Sequence, residues 1–146
     1  MKIDKDRNLQ SVKKNEGYRN KVYVYTLGKR TVGVCHLCVE EFWEDDKEYE
    51  EEFLMNSLKA DLQTAIKGAE RLLKGCPILD SLAKEIIIEM VFQLGETGVS
   101  KFKNMLKALE DGPDYQTAAS EMLDSRWAKQ TPNRAQNMSA EMAALG

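Results

Sequence analysis

Glu16 is the one carboxylate between Asp6 and Glu40, in a stretch that also carries seven basic residues. The whole chain has 24 Asp and Glu, so an acid isolated among bases is unusual. A carboxyl group in this setting is a candidate for proton transfer, because general acid–base catalysis uses a positioned acidic side chain. A Glu beside basic residues is also often a structural ion-pair partner. Glu16 is therefore a candidate general acid, and the elements around it decide between this role and a structural ion pair.

Length and composition are those of one folded domain. The 146 residues are 42% hydrophobic and 31% charged, which is typical of a globular protein with a core of its own. No apolar run reaches the length of a membrane helix, and the N-terminus lacks the apolar segment of a secretory signal. We expect neither stable membrane insertion nor a signal peptide. Three cysteines, an odd number, argue against a full disulfide framework.

Charge is unevenly distributed along the chain. Residues 7–39 hold seven bases and one acid, a net of +6, whereas residues 40–52 hold nine acids and one Lys. A nucleic-acid-binding surface would be more broadly basic, so we expect no nucleic-acid partner. The acidic run from Glu40 to Glu52 is predicted to be solvated.

The pattern of residues predicts a small strand-rich segment within a helical protein. A short N-terminal helix should end near Asn15–Gly17, because Gly is favoured just past a helix end. Tyr18–Val34 is rich in β-branched and aromatic residues around a turn at Leu27–Arg30, which predicts a hairpin. Helical spacing predicts helices at about Glu48–Lys74, Asp80–Leu94 (the most apolar, hence buried), Val99–Leu109, Tyr115–Leu123 and Pro132–Leu145. The predicted fold class is α+β, predominantly helical.

Four segments carry a resemblance to a known family. Asn15–Arg19 and Thr31–His36, together with Met90–Gly98 and Ser125–Ala135, resemble the phage-type lysozymes, or endolysins, which cut the glycan strands of bacterial peptidoglycan. The resemblance implies a single lysozyme-like domain over residues 1–146. It would consist of a β lobe at about 17–47, a linking helix at about 48–74, and a helical lobe formed by residues 1–15 and 75–146.

The resemblance also implies roles for individual residues. Glu16 falls on the catalytic acid of the family and Thr31 on the residue that helps to place the attacking water. The positions that match residues lining the saccharide cleft are Phe92, Gln93 and Arg126. Those that match residues supporting the site are Arg134, which pairs with the acid, and His36 and Asp61, which pair with each other.

One family position is not matched. The family places Asp, or sometimes Cys, nine residues after the catalytic Glu, and Tyr25 stands there instead. No neighbouring acid can substitute, because Gly17 to Val39 contains neither Asp nor Glu. Glycosidic cleavage normally uses two carboxyl groups. For Tyr25 to act as a base at neutral pH, its pKa would have to fall by roughly three units from about 10.

Three mechanisms remain open at this point. In the first, Glu16 is the acid, while Thr31, helped by Tyr25, holds a water for slow hydrolysis. In the second, Glu16 acts alone as acid and then base while the muramic acid hydroxyl attacks, as in lytic transglycosylases. In the third, Tyr25 stacks on a sugar and the protein binds wall glycan without cutting it. We expect hydrolysis of the bond between N-acetylmuramic acid and N-acetylglucosamine.

The expected partner is bacterial peptidoglycan, and the expected oligomeric state is a monomer. The resemblance implies a phage or prophage protein made in the host cytoplasm that acts on the wall, in the periplasm or from the virion. We expect no cofactor. Cys35–Cys38 contains two Cys at a spacing found in zinc sites, but only Cys76 is left to complete one, so we also expect no metal.

Overall fold

The computed structural model describes residues 2–24, 29–34 and 36–146. Helices dominate, with one small sheet near the N-terminus, so the predicted α+β class is confirmed. In chain order the elements are α1 (Lys5–Glu16), β1 (Arg19–Val24), β2 (Arg30–Gly33), β3 (His36–Leu37), α2 (Glu51–Leu72), α3 (Ser81–Ser100), α4 (Lys103–Ala108), α5 (Tyr115–Leu123), α6 (Arg126–Gln130) and α7 (Pro132–Ala143). None of the described helices is both long and apolar enough to cross a membrane.

The described residues form two compact units. The first, which we call the sheet unit, is Lys5–Thr64, and the second, the helical unit, is residues 2–4 with Ala65–Gly146. This division differs from the predicted one, which placed residues 1–15 with the helical lobe. Helix α1 lies in the sheet unit, where Lys13 Nζ is 3.0 Å from Glu51 Oε1 at the start of α2 and 5.8 Å from the centre of the Tyr18 ring.

The sheet unit is built on three antiparallel strands in the order β1-β2-β3. The two longer strands confirm the predicted hairpin, while Tyr25 and the first two residues of its predicted turn, Leu27 and Gly28, lie outside the described residues. The third strand, His36–Leu37, was not predicted, because two residues are too short to show a strand period. An apolar cluster of Val32, Trp43 and Leu54 covers the sheet, with Val22, Cys38 and Tyr49 packed against it.

The acidic run is therefore not simply solvated. Trp43, in its middle, is 3% exposed and belongs to this cluster, whereas most of the acidic side chains around it are exposed as predicted. Arg30 holds the segment from the sheet side, since its Nη2 donates to Trp43 O at 2.9 Å and its Nε to Asp45 Oδ1 at 3.2 Å. The segment after β3 is thus an ordered part of the sheet unit.

Helix α3 provides much of the buried core of the helical unit. Its central residues Ile87, Ile88 and Met90 are fully buried, which confirms the burial predicted for this helix. A kink at the non-helical residue Gly95 (φ 79°, ψ 162°) interrupts α3, which ends at Ser100. Val99 therefore lies in the last turn of α3, whereas the prediction placed it at the start of the next helix, which begins at Lys103. The short α6 was also not predicted. It begins where Ser125 Oγ accepts a hydrogen bond from Ala128 N at 3.1 Å, a side-chain cap of the usual kind.

Candidate functional site

Glu16 is the last residue of α1. The helix ends because Gly17 adopts a positive φ of 77°, and its N–H donates to Lys13 O at 3.1 Å. A residue with a Cβ is disfavoured in this conformation, so the glycine allows the chain to turn from helix to strand within two residues. Glu16 is half-buried. The predicted acid therefore stands at a sharp, well-defined junction between α1 and β1.

Thr31 lies on β2, the middle strand of the sheet, opposite Tyr23 on β1 and Leu37 on β3. The residue is 2% exposed, and its Oγ1 donates a hydrogen bond to Lys29 O at 3.0 Å. Because the hydroxyl proton is used in that bond, the lone pairs of Oγ1 are left to accept a hydrogen bond from another group. Thr31 is thus arranged as an acceptor.

His36 joins two carboxylates. Its Nδ1 is 2.6 Å from Asp61 Oδ2 on α2, the predicted partner, and its Nε2 is 3.0 Å from Glu40 Oε1. The hydrogen bond with Asp61 raises the pKa of His36 and, with the other carboxylate, outweighs the lowering by desolvation. The charged imidazolium, which can donate from both nitrogens, is therefore favoured.

Glu40 connects this histidine to the apolar cluster. Its Oε2 accepts a hydrogen bond from Trp43 Nε1 at 2.9 Å. Desolvation raises the pKa of Glu40, but hydrogen bonds from Trp43, the backbone and His36 prevail and hold the pKa below its ordinary value. The sequence did not lead us to predict a role for Glu40 or for Trp43. The available signal was a tryptophan inside an acidic run, which needs a buried place for its ring and an acceptor for its N–H.

In the helical unit, Trp127 brings predicted saccharide-lining residues together. Its indole Nε1 donates to Gln93 Oε1 at 2.9 Å, and its ring meets that of Phe102 edge-on with centroids 6.3 Å apart. The adjacent Arg126 is exposed and lines, with Trp127 and Phe102, a cavity of about 790 Å³. Phe92, next to Gln93, is half-buried. Gln93 is therefore hydrogen-bonded to Trp127, and Arg126 lines the same cavity as the Trp127 ring.

Comparison with known proteins identifies the family. The phage lysozyme family model matches residues 13–141. This chain belongs to the phage lysozyme family. The predicted resemblance and lysozyme-like fold are thereby confirmed, and the matched range contains both the Glu16 junction and the segment around Arg126 and Trp127.

Three curated relatives show how far this phage lysozyme family member resembles individual proteins. It is 29% identical to probable T4-type lysozyme 2 of Dictyostelium discoideum, covering 84% of this chain and 85% of the relative. It is 48% identical to probable T4-type lysozyme 1 of the same organism over 38% of this chain and 32% of the relative. It is 28% identical to the pre-baseplate central spike protein Gp5 of Enterobacteria phage T4, over 86% of this chain and 26% of that protein. The chain thus spans most of the first relative but only a part of the spike protein.

The family pattern assigns roles to Arg134 and Tyr25 that the described contacts do not test. Arg134 is half-buried in α7 of the helical unit, and its pairing with Glu16 stays a prediction. Tyr25, predicted to occupy the position of the family's second catalytic residue, lies outside the described residues. The roles of Glu16, Thr31, Phe92 and the other site residues likewise remain predictions, although their positions in the fold are now defined.

The cysteines of this phage lysozyme family member give no sign of a metal centre in the part of the chain that is described. Cys38 and Cys76 are free thiols, and burial raises the pKa of each. Among residues 2–24, 29–34 and 36–146, no three His, Cys, Asp or Glu side chains are grouped to hold a metal ion. Cys35 lies outside the described residues.

Proposed function

We propose that this protein hydrolyses peptidoglycan at the glycosidic bond between N-acetylmuramic acid and N-acetylglucosamine, with Glu16 as the proton donor. The observation that carries the proposal is the family match over residues 13–141, which includes Glu16 at the end of α1. A helix end followed by a glycine turn holds the carboxyl group on rigid structure, which proton transfer to a leaving oxygen requires. Neither a cofactor nor a metal takes part in the proposed reaction.

Thr31 supplies the second element of the proposed mechanism. Its hydroxyl proton is held by Lys29 O, so its oxygen can accept a hydrogen bond from the attacking water and orient it. A water placed in this way attacks the anomeric carbon while Glu16 protonates the departing oxygen. The proton that the water loses passes to solvent, from which Glu16 is protonated again. Tyr25 stands where the family's second carboxylate would be. Because a neutral phenol supplies no negative charge, we expect hydrolysis slower than that of a two-carboxylate enzyme.

Phe92, Gln93 and Arg126 are the proposed saccharide-binding residues. Gln93 is fixed by its bond from Trp127, and Arg126 presents its guanidinium to the cavity beside that ring. His36 and Asp61 are proposed to support the site by joining β3 to α2 through a 2.6 Å contact. Arg134 is proposed to pair with Glu16 and to hold the acid in position. The protein is proposed to act as a monomer.

The biological setting is proposed to be lysis of a bacterial host, or penetration of its wall, by a phage or prophage. Two relatives are named as T4-type lysozymes, which supports a free wall-degrading enzyme, and one as a spike protein of phage T4, which supports delivery from a virion. The protein is proposed to be made in the host cytoplasm and to act on the wall, in the periplasm or from the virion.

Mass spectrometry of the soluble products formed from purified peptidoglycan tests the proposal. Muropeptides with a reducing end would establish hydrolysis. Products lighter by one water would establish transglycosylation instead. Wall pelleting without product release would show a binding protein and contradict the enzymatic proposal.

Two variants test the assignment of residues. We expect Glu16→Gln to lower product release by about 100- to 10,000-fold, the usual contribution of a general acid. The matched control is Glu50→Gln, which removes an exposed carboxylate of the same unit and should leave the rate unchanged. Equal rates for both variants would exclude Glu16 as the acid. Tyr25→Asp, which restores the family pattern, should raise hydrolysis.

A further inference from the structure

Strand β1 contains an irregularity beside the proposed acid. Arg19 pairs with Gly33 and Tyr23 pairs with Thr31, so three residues of β1 (Asn20, Lys21 and Val22) stand opposite the single residue 32 of β2. Two extra residues are therefore accommodated in β1. Such bulges bend a strand, redirect its side chains and are common next to functional sites.

The bulge is held in place from its inner side. Tyr49 N donates to Asn20 O at 2.9 Å, and Val22 packs against the apolar cluster that contains Trp43. These contacts fix the backbone and one side chain of the extra residues. Arg19 and Lys21 remain exposed. The bulge is thus an ordered structure that presents cationic side chains to solvent.

A groove of about 370 Å³ lies along the bulge and is lined by residues 18–23. Among these lining residues, the Arg19 guanidinium carbon stands 4.6 Å from the centroid of the Tyr23 ring. A guanidinium stacked on an aromatic face is held in one orientation, while the N–H groups at its edge stay free to donate in the plane. Tyr18, 37% exposed, adds a second aromatic ring to the groove.

Arg19 differs from the other arginine of the sheet in its partners. Arg30 is bonded to Asp45 and to Trp43 O, so its donors serve the fold. No carboxylate among the described residues forms an ion pair with Arg19. The nearby Lys21 is 4.0 Å from Glu48, and both side chains are about half or more exposed, so this contact is weak. A stacked guanidinium without an acidic partner is arranged to receive an external anion.

We propose that the β1 groove, residues Tyr18–Tyr23, binds an oxyanion carried on the wall glycan, with Arg19, held on the Tyr23 ring, as a two-pronged donor and with Tyr18 against a sugar face. Carboxylates and phosphates match the planar fork of arginine, and sugars pack on aromatic rings. Only Gly17 separates Glu16 from Tyr18, so the groove begins within about 7 Å of the proposed acid along the chain. The identity of the polymer rests on the proposed function, whereas the binding does not require cleavage.

Two kinds of wall oxyanion share this chemistry: carboxylates of the peptides attached to muramic acid, and phosphodiesters of polymers attached to the wall. Three preparations distinguish them: untreated walls, walls stripped of phosphodiester polymers with hydrofluoric acid, and stripped walls whose carboxylates have been amidated. Binding would be measured by pelleting with the Glu16→Gln protein, so that the glycan is not consumed and the result is independent of catalysis.

Arg19→Ala and Lys14→Ala are the matched pair for this experiment. Each removes one exposed cation from the sheet unit, but Lys14 does not line the groove. We expect Arg19→Ala to weaken binding about tenfold, as loss of charge-assisted hydrogen bonds does, and Lys14→Ala to weaken it no more than about twofold. Arg19→Lys, which keeps the charge but not the fork, should resemble Arg19→Ala.

The difference in wall binding between Arg19→Ala and Lys14→Ala should disappear on the preparation that lacks the responsible anion. If it disappears once phosphodiesters are removed, the ligand is the attached polymer, and if it persists until amidation, the ligand is the carboxylate. Equal losses for Arg19→Ala and Lys14→Ala on all three preparations would overturn the proposal. So would wild-type binding by Arg19→Lys, since a point charge would then suffice. Absence of product release by the wild-type protein, together with the expected pelleting of the Glu16→Gln protein, would contradict only the proposed catalysis.

Discussion

The sheet unit and the helical unit are stabilised by different kinds of contact. In the helical unit the most deeply buried positions are apolar side chains of several helices, such as Ile87, Met105 and Met122, each fully excluded from solvent. In the sheet unit a three-residue cluster around Trp43 is supplemented by polar contacts: the indole bonds to Glu40, Glu40 contacts His36, and His36 contacts Asp61.

This difference predicts different responses to mutation and to pH. Burial of apolar surface does not depend on protonation, whereas a chain of charged hydrogen-bonding groups does. The stability of the sheet unit should therefore depend on one aromatic ring and on the charge state of a few side chains. The stability of the helical unit should be distributed over many apolar contacts, whose contribution does not depend on protonation.

Trp43→Ala should have the largest effect. Removing a 3%-exposed indole leaves a cavity in the small cluster and deprives Glu40 of a hydrogen-bond donor. We expect a loss of about 3–5 kcal/mol in the free energy of unfolding. Urea titration would measure it, and hydrogen exchange should place the loosening within residues 5–64. The control is Phe42→Ala, whose ring is 53% exposed and should cost less than about 1 kcal/mol. Equal costs would show that Trp43 does not hold this unit together.

Ile87→Ala should destabilise the helical unit by about 2–5 kcal/mol, because the side chain is fully buried in α3. Repeating the urea titration across the neutral pH range should give the same loss at each pH. Ile78→Ala is the control, since that side chain is 66% exposed. A loss that changes strongly with pH would contradict the contrast drawn between the two units.

Gly95→Ala tests the break inside α3 by itself. No heavy atom lies within 4 Å of the position of an added Cβ, so the cost arises from the backbone conformation alone. We expect about 1–3 kcal/mol in a thermal or urea unfolding experiment, as for other residues held at a φ/ψ that only glycine readily adopts. Gly75→Ala, where an added Cβ has only ordinary contacts at 3.9 and 4.0 Å, should cost less. A larger loss of stability for Gly75→Ala than for Gly95→Ala would show that the backbone at position 95 does not require glycine.

His36→Gln should remove a pH dependence from the sheet unit. The pKa of His36 is raised above its ordinary 6.5, so the folded state retains the proton more strongly than the unfolded state. The stabilisation is complete below about pH 6.5 and is lost as the pH rises through the folded-state pKa. Wild-type unfolding free energy should therefore fall as the pH rises above about 6.5, and the variant should show a flatter profile. A wild-type profile that rises over this range would contradict the assignment.

Local signals in the sequence were sufficient for most of the architecture. Gly17 correctly indicated the end of α1, and the residues of α5 were predicted as the structure has them. Long periodic segments such as α2 were recognised, with ends within a few residues of those observed. These elements could be predicted because their signals lie within the elements themselves.

The remaining features depend on contacts between distant residues. β3 is too short to have a period of its own, and it forms because Thr31 and Val32 offer it a partner strand. Trp43 stands among acids that indicate solvation, and its burial is decided by Val32 and Leu54. For the site, the family resemblance named His36 and Asp61, 25 residues apart, but no local pattern indicated Glu40 as the third member of the contact. The bulge in β1 was also invisible, since its register depends on β2.

The two tryptophans of the chain are divided between the units, and each has a different hydrogen-bond acceptor. Trp43 bonds to the carboxylate of Glu40, and Trp127 bonds to the neutral amide of Gln93. Each unit thus contains its own fluorophore. When either tryptophan is replaced by phenylalanine, the remaining tryptophan emission comes only from the other unit. Emission from Trp43 should change as acid protonates its acceptor, while that of Trp127 should not. The order in which the two units lose their structure can therefore be followed optically without an added label.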